Sequence, residues 1–320
     1  MSSQLESEAP FEATTLGFLR RQFTRPKPLP AGITLDGQVA IVTGSNVGLG
    51  LSACKQLLQL GLSHLVMGVR SQARGDVAAA QLRKSFPSAL ISVWIIDMES
   101  YDSVCAFASR CKSLDRIDIV ILNAGLIKTP YTVVQATGNE VTLQVNYLST
   151  ALLTILLLPI LKAKKTDDDS RPPVISIFQQ EETFSQFSWY GRSKLLQTIF
   201  VSKLAEFVNP NDVLVNLSNP GMTGGTDFFR GYPALVMKLI AVGQWILARP
   251  VNVAATTYLD AVLVQGEKSH GSFTSDWTIK PYPKLWYTPE GQELKKRLWE
   301  ETMEELNFVG ASKIVNDLKG

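Results

Sequence analysis

Short apolar runs alternate with amphipathic stretches along the chain from Gln38 onward. The runs are rich in β-branched residues, which predicts strands at Val39–Thr43, Leu65–Val69, Ile91–Ile96, Ile119–Leu122, Val174–Phe178 and Val213–Leu217. Their positions are apolar throughout rather than at every second residue. This pattern is typical of strands in a parallel sheet that has helices on both faces.

The stretches between the strands have the periodicity of helices. They predict helices at Gly50–Leu60, Ala73–Ser85, Tyr101–Cys111, Glu140–Lys165 and Trp189–Phe207. The alternation predicts an α/β fold, namely a single-domain Rossmann-type doubly wound parallel sheet with helices on both faces. Residues 37–320 are expected to form this domain. It would include an apolar segment at about residues 222–250, either a substrate lid or a plain core helix, and a helical tail over Glu290–Gly320, anchored by Trp299 and Leu306.

Residues 1–36 have no strand pattern and are expected to form a solvated arm or linker. The prolines at positions 26, 28 and 30 predict an extended segment, because proline fixes φ and lacks an amide donor. The basic residues of the arm are Arg20, Arg21, Arg25 and Lys27. They are too few and too scattered for more than a weak peripheral contact with acidic lipid.

Composition and charge exclude several classes of protein. Hydrophobic residues are 45% of the chain and charged residues 19%, which is enough apolar material for a large core. The formal net charge of +2 argues against a nucleic-acid partner. Met1–Pro10 is polar and acidic, unlike a secretory signal, so a cytoplasmic protein is expected. The apolar stretch Tyr232–Ala248 is interrupted by Lys238 and Gln244, so no transmembrane segment is predicted.

Cysteine and histidine are sparse. Cys54, Cys105 and Cys111 have no CxxC spacing and fall in predicted helices, which indicates small buried residues in a reducing compartment. Two histidines, His64 and His270, are too few for a metal site of the usual ligand count, so no metal is expected.

A glycine-rich turn follows the first predicted strand and leads into a predicted helix. It reads Thr43-Gly44-Ser45-Asn46-Val47-Gly48-Leu49-Gly50. Glycine allows backbone conformations that other residues avoid, and it allows a pyrophosphate to approach the amides at a helix N-terminus. An ordinary βα turn is the alternative, but the position in the first βαβ unit favours a dinucleotide site. The residues expected to contact the cofactor there are Gly44, Ser45, Asn46, Gly48, Leu49 and Gly50.

The second predicted strand is followed by Arg70, where folds that prefer NAD have a carboxylate for the ribose hydroxyl. An arginine at this place suits a 2′-phosphate, which predicts NADP(H) as the cofactor. A surface arginine is the alternative, and Arg74 could share or replace its role.

Three further motifs occur in order along the chain. They are Asn123-Ala124-Gly125, Tyr190-Gly191-Arg192-Ser193-Lys194 and Asn219-Pro220-Gly221-Met222-Thr223. Together with the glycine turn they resemble the short-chain dehydrogenase/reductase family over residues 36–275. The resemblance looks closest to fungal members related to retinol and protochlorophyllide reductase-like enzymes, many of which act in secondary metabolism. It implies further cofactor contacts at Asp97, Asn123, Ala124, Gly125, Tyr190, Lys194, Pro220, Gly221 and Thr223.

Tyr190 and Lys194 are four residues apart on a predicted helix and would share a face. A nearby ammonium lowers the pKa of a phenol, so Tyr190 could pass a proton to or from a substrate oxygen. Such a pair alone is usually a surface pair, but the accompanying motifs favour an active site. The resemblance implies that Lys194 bonds the nicotinamide ribose and that Asn146 holds a water in the proton path.

The serine that the family has at the end of the fifth strand is missing. Phe178 or Gln179 stands at its place, and Ser176 lies too early in the strand. Gln179 could donate through its amide and is the candidate replacement, with Thr183, Ser185 or Ser188 as alternatives. Loss of one such donor typically lowers the rate about 10²- to 10³-fold.

These residues predict an NADP(H)-dependent enzyme that interconverts a carbonyl and an alcohol on a fairly large lipophilic substrate, in secondary-metabolite biosynthesis. Two alternatives stay open. One is a non-redox catalyst of the same fold (an isomerase, dehydratase or cyclase), and the other is an NADP(H)-sensing binding protein. The resemblance implies pairing through the helices at Glu140–Lys165 and Trp189–Phe207, although the arm and the tail could block it, so a monomer or a homodimer is expected.

Overall fold

A computed structural model describes residues 1–128, 130–165, 171–178, 189–224 and 247–319. Its strands are β1 Val39–Thr43, β2 His64–Val69, β3 Leu90–Ile95, β4 Ile119–Leu122, β5 Val174–Phe178, β6 Leu214–Asn219, β7 Phe273–Ser275 and β8 Thr278–Lys280. They form one sheet in the order β3-β2-β1-β4-β5-β6-β7-β8, parallel except for β8, which runs antiparallel to β7. The predicted Rossmann-type α/β fold is confirmed.

Helices cover both faces of this sheet. They are α1 Ala9–Glu12, α2 Thr15–Phe23, α3 Gly48–Gln59, α4 Gln72–Ser85, α5 Tyr101–Cys111, α6 Val141–Leu143, α7 Ser149–Lys164, α8 Trp189–Leu204, α9 Val251–Leu263, α10 Pro289–Glu305 and α11 Ala311–Asn316. Helix α9 was not predicted, because most of its positions are apolar and buried and it therefore lacks an amphipathic period.

Strand β1 shows how the two faces divide the core. Val39 and Ile41 pack with α5, α7 and α8, whereas Ala40 and Val42 pack with α3, α4 and α9 on the opposite face. Successive side chains of a strand point to opposite faces, so a strand buried on both faces must be apolar at every position.

The predicted helix at Glu140–Lys165 is interrupted. A single turn of π-helix, Gln144–Leu148, separates α6 from α7. The combined stretch Val141–Lys164 is long and apolar enough to cross a membrane by length and composition, but 89% of its most apolar window is buried inside the protein. Its hydropathy therefore reflects packing in the core. Residues 225–246 fall outside the described residues. They include most of the other apolar stretch, at residues 232–248, and most of the predicted lid.

The hairpin of β7 and β8 was also not predicted. Each strand has three residues, and the turn between them consists of Asp276 and Trp277, both with positive φ (43° and 59°). Such a turn usually contains Asn-Gly or Asp-Gly, so the sequence lacks the ordinary signal. Trp277 is buried and donates from its indole nitrogen to Thr256 Oγ1 at 2.9 Å, which ties the turn to α9.

The N-terminal segment packs on the domain, in contrast to the solvated arm expected above. Arg21 is buried and forms an ion pair with Glu12, so it is not exposed for contact with lipid. The buried Gln22 donates to the carbonyls of Met222 and Leu247 and accepts from the amide of Met222. Helix α2, which contains Gln22, therefore supports the segment that follows β6.

The cysteines lie in helices, as predicted. Cys54 and Cys111 are buried and Cys105 is half-buried, and all three are free thiols. Burial raises the pKa of the Cys54 thiol and raises that of Cys111 to about 12, so both stay protonated at neutral pH.

The C-terminal tail packs against α7 and α8, the helices through which the resemblance implies pairing. Trp299 stacks on Phe207 with ring centroids 4.9 Å apart, and Tyr147 contacts Thr302 through their hydroxyl groups. Leu306 is 0% exposed. Both predicted anchors, Trp299 and Leu306, therefore contact the domain.

We expect Leu306→Ala to lower the free energy of unfolding by about 2 to 5 kcal/mol, because it leaves a cavity under the tail. Urea unfolding followed by circular dichroism measures this. Leu16→Ala is the matched control, since Leu16 is 65% exposed, and it should change stability little. Equal stability of the two variants would show that the tail contributes nothing to the core.

Candidate active site

A cleft of about 340 Å³ opens at the carboxyl ends of β1, β2, β3 and β4. Strand order reverses between β1 and β4, and such switch points are where open parallel sheets bind ligands. Ten of the predicted cofactor residues line the cleft, namely Gly44, Asn46, Gly48, Leu49, Arg70, Asp97, Asn123, Ala124, Gly125 and Thr223. The structure thus brings together residues that are far apart in sequence.

The glycine turn needs its glycines. Gly44 has φ +63°, and a Cβ there would lie 3.0 Å from the Cα of Ala124. A Cβ on Gly50 would lie 2.5 Å from the carbonyl oxygen of Gly44. Two backbone segments therefore approach each other as closely as they can, and the first amides of α3 are left at the cleft.

Asn123 holds these segments together. Its Nδ2 donates to the carbonyls of Thr43 at 3.1 Å and Gly44 at 3.2 Å, and its Oδ1 accepts from the hydroxyl of Tyr258 at 3.1 Å. Asn123 lines the cleft, but its polar atoms brace the glycine turn. Tyr258, which was not predicted, stands 135 residues further along the chain, and no local motif marks it.

The turn fits a phosphate-bearing dinucleotide. Ser45 is 0% exposed, and its Oγ has no hydrogen-bond partner among the residues described. Ser45 does not line the cleft, whereas Gly44 and Asn46 on either side of it do, so a phosphate would meet the backbone of the turn rather than this hydroxyl. The absence of side chains at Gly44 and Gly50 and the helix N-terminus beside Ser45 suit the same ligand.

The end of the cleft formed by β2 and β3 contains two arginines and two acids. Arg70 and Arg74 both line it, and Arg70 forms an ion pair with Glu99 at 2.8 Å, with 63% of the Arg70 side chain exposed. Sequence reasoning missed Glu99. The pairing of β2 with β3, which joins Val69 to Ile95, could have placed it near Arg70. Asp97 also lines the cleft, and one of its carboxylate oxygens accepts from the amide of Glu99 at 3.0 Å.

Asn146 lies in the π-turn and fixes the chain beyond β4. Its Oδ1 accepts from the amide of Leu126 and its Nδ2 donates to the carbonyl of Leu126, both at 2.9 Å. Its Nδ2 also contacts Ser193 Oγ at 3.3 Å on α8. Leu126 and Val145 of the π-turn both line the cleft. The π-turn therefore forms part of the end of the cleft that lies beyond β4, the inner end.

Lys194 lies on α8 behind Gly125 and does not itself line the cleft. It is 2% exposed, and a Cβ on Gly125 would lie 3.9 Å from its Nζ. The Nζ donates to Oε1 of Gln197 at 3.0 Å. Burial lowers the pKa of Lys194 to about 7, so its charge changes near neutral pH.

The remaining predicted residues lie elsewhere. Pro220 and Gly221 stand beside Thr223, with the carbonyl of Pro220 accepting from Arg249 at 3.1 Å and the amide of Gly221 donating to Asn219 at 2.8 Å. The backbone of Tyr190 lies in α8, four residues before Lys194, but its side chain is not among the parts of the chain that the structure describes. Gln179 and the three alternatives to it lie among residues 179–188, also outside.

A family model described as short chain dehydrogenase matches residues 38–234, more than half of the chain. The chain belongs to the short-chain dehydrogenase family. The predicted family is thereby confirmed, and with it an oxidoreductase that uses a nicotinamide cofactor.

Relatives of this short-chain dehydrogenase occur in fungi. A short chain dehydrogenase of Hypocrea virens, virL, is 84% identical, and the match covers 100% of this chain and 99% of that protein. A short chain dehydrogenase/reductase of Annulohypoxylon moriforme, mfmJ, is 40% identical and covers 95% of this chain and 94% of that protein. The predicted similarity to fungal members is confirmed.

Solved structures share the fold. A short-chain dehydrogenase from Sphingobium yanoikuyae in complex with NADPH matches with a TM-score of 0.58 and 20% identity, covering 83% of this chain and 95% of that chain. A bulky-bulky ketone specific alcohol dehydrogenase from Comamonas testosteroni matches with a TM-score of 0.55 and 18% identity, covering 84% and 94%. These likenesses extend the agreement to the sheet and its helices.

We expect Gly50→Ala to weaken nucleotide binding by about tenfold or more, equivalent to at least about 1.4 kcal/mol, because the new Cβ must displace the Gly44 carbonyl. Titration of the variant with NADPH measures this. Gly138→Ala is the control for backbone strain alone, since Gly138 has φ +77° but a Cβ there has open space and the residue does not line the cleft. It should lower stability and leave NADPH binding unchanged. Unchanged NADPH binding by Gly50→Ala would contradict the assignment of the turn.

Proposed function

We propose that this short-chain dehydrogenase uses NADP(H) to interconvert a carbonyl and an alcohol on a fairly large lipophilic substrate, in secondary-metabolite biosynthesis. One observation carries the proposal. Gly125 lines the cleft that begins at the glycine turn, and a Cβ on Gly125 would lie 3.9 Å from Nζ of the buried Lys194, so a bound dinucleotide and a proton-handling residue would lie on either side of one glycine. The apolar sequence predicted as a lid supports a lipophilic substrate.

The preference for the phosphorylated cofactor rests on Arg70 and Arg74. Both stand at the end of β2, and a 2′-phosphate there could exchange with Glu99 as the partner of Arg70. The exposure of Arg70 leaves its guanidinium free to turn toward such a phosphate. The NADPH complex of the Sphingobium relative agrees with this choice.

The residues at the inner end would divide the chemistry between them. When bound, the nicotinamide supplies or accepts the hydride. Tyr190 would give a proton to the substrate oxygen during reduction and take it back during oxidation. Lys194, held beside Gly125, would bond the nicotinamide ribose and, as an ammonium below about pH 7, lower the pKa of that phenol.

We further propose that the protein acts as a monomer. The tail covers α7 and α8 and buries Leu306 against them, so the family's usual pairing surface is already occupied within one chain. A second chain could pair there only after removing the stacked contact of Trp299 with Phe207. Sedimentation of the full chain should therefore give a single subunit.

The reaction itself is tested by adding a panel of bulky lipophilic carbonyls to the protein with NADPH and following absorbance at the nicotinamide band. Oxidation of NADPH supports the redox proposal. Binding of the cofactor without oxidation of NADPH by any carbonyl, and without reduction of NADP⁺ by any alcohol, would overturn it in favour of non-redox catalysis or sensing.

Tyr190→Phe should lower turnover about 10²- to 10⁴-fold, because it removes the proton donor. NADPH binding should change little, since the phenol acts on the substrate oxygen. Tyr101→Phe is the control. It removes a phenol that donates to Glu305 on the tail and should leave turnover unchanged. Retained turnover in Tyr190→Phe would contradict the acid-base role.

Arg70→Asp should weaken NADPH binding by about tenfold or more and NADH binding far less, because a charge-assisted hydrogen bond to the 2′-phosphate contributes about 1.5 to 3 kcal/mol. Fluorescence titration with both cofactors measures the ratio. Arg297→Asp, at an exposed position on α10, controls for the change in net charge. An equal loss for both cofactors would refute the role of Arg70 in choosing between them.

A further inference from the structure

Gln197 connects the two parts of the inner site. It lies one helical turn after Lys194 on α8 and is 2% exposed. Its Oε1 accepts from Lys194 Nζ at 3.0 Å, and its Nε2 donates to the backbone carbonyl of Asn146. One side-chain amide thus links the ammonium of α8 to the π-turn.

The π-turn makes this link possible. Its widened backbone directs two consecutive carbonyls to side chains, with Val145 accepting from Thr150 Oγ1 at 3.1 Å and Asn146 accepting from Gln197. The Asn146 amide group is already committed to Leu126. Gln197 therefore bonds the backbone carbonyl of Asn146 and not its side chain.

The chemistry of the partners fixes which way the amide points. The ammonium form of Lys194 can only donate, so Oε1 of Gln197 faces Lys194. The backbone carbonyl of Asn146 can only accept, so Nε2 faces Asn146. Both the charged and the neutral form of Lys194 can donate to Oε1. The link is therefore maintained as Lys194 titrates.

We propose that Gln197 is a positioning residue for Lys194, and that its amide takes the place of the water that the resemblance implies Asn146 holds. This proposal rests on the proposed function, since it concerns the same site. A bridging water can pass a proton along, whereas a neutral amide orients its partners without transferring one. In this chain Asn146 then orients Gln197, and Gln197 holds Lys194 beside Gly125.

The surroundings of Lys194 make its charge sensitive to Gln197. Among the residues that the structure describes, the Gln197 amide and the backbone of Gly125, both uncharged, lie near its Nζ, and Tyr190 is the ionisable residue one turn earlier on its own helix. Burial lowers the pKa of Lys194, and an acceptor oxygen at 3.0 Å opposes that change by favouring the ammonium. Removal of the acceptor should lower the pKa further, and a carboxylate should raise it.

The experiment compares two variants of the full chain. Gln197→Leu removes both hydrogen bonds, and we expect kcat to fall about tenfold, equivalent to a barrier increase of about 1.4 kcal/mol. Gln197→Glu keeps an acceptor for Lys194 and adds a charge. The pKa of Lys194, read by NMR on protein labelled with ¹⁵N-lysine, should shift down in Gln197→Leu and up in Gln197→Glu, and the pH-rate profile should move in the same two directions.

Thr198→Val is the matched control. It removes a buried hydrogen bond on the same helix, from Thr198 Oγ1 to the carbonyl of Lys194, without touching Nζ or the π-turn. It should leave the pKa of Lys194 and kcat unchanged. Thermal unfolding of all three variants shows whether each is folded at the temperature of the assay.

Opposite shifts of the Lys194 pKa support the positioning role. Shifts in the same direction, or an unchanged pKa in folded Gln197→Leu, would overturn it. The NMR readout needs no turnover, so it separates the two proposals. If the wild-type protein oxidises no NADPH but the two variants shift the pKa of Lys194 in opposite directions, the proposed function is refuted and the role of Gln197 is kept.

Discussion

The close approach of two backbone segments at the carboxyl ends of β1 and β4 is the constraint on which the rest of the site depends. Gly44 lies against Ala124, and Gly50 lies against the carbonyl of Gly44, so neither position accepts a side chain. Asn123, on the β4 segment, donates to the carbonyls of Thr43 and Gly44 on the other segment and keeps the two together. Because α3 begins at this contact, its first amides face the cleft. The chain that leaves β4 then lies beside Lys194 at Gly125 and bonds the π-turn through Leu126.

Within the described part of the chain, the inner end of the site places the uncharged amides of Asn146 and Gln197 around the basic group of Lys194. Asn146 holds the chain after β4, and Gln197 holds Lys194 against Asn146. Lys194 has its pKa lowered by burial, so the protein holds this group near the point at which it gains or loses its charge. A site of this kind depends on the direction of dipoles more than on opposite charges.

Local features of the sequence predicted more than distant ones. The strands and the glycine turn follow from runs and spacings within a few residues, and three of the predicted strands have the observed bounds. The contact of Tyr258 with Asn123 and the packing of Gln22 on Met222 join residues 135 and 200 positions apart, and no short pattern encodes them. Gln197 is an intermediate case. Its spacing of three residues from Lys194 places the two on one helix face, which could have indicated the contact.

The N-terminal segment bonds residues that stand far along the chain. The Ser2 hydroxyl bonds the backbone of Phe273, 271 positions later, and Gln22 bonds Met222 and Leu247. During synthesis α2 therefore leaves the ribosome before the residues that hold it have been made. It can take up its native position only after β6 and the segment beyond it exist, so it is one of the later elements to close the domain.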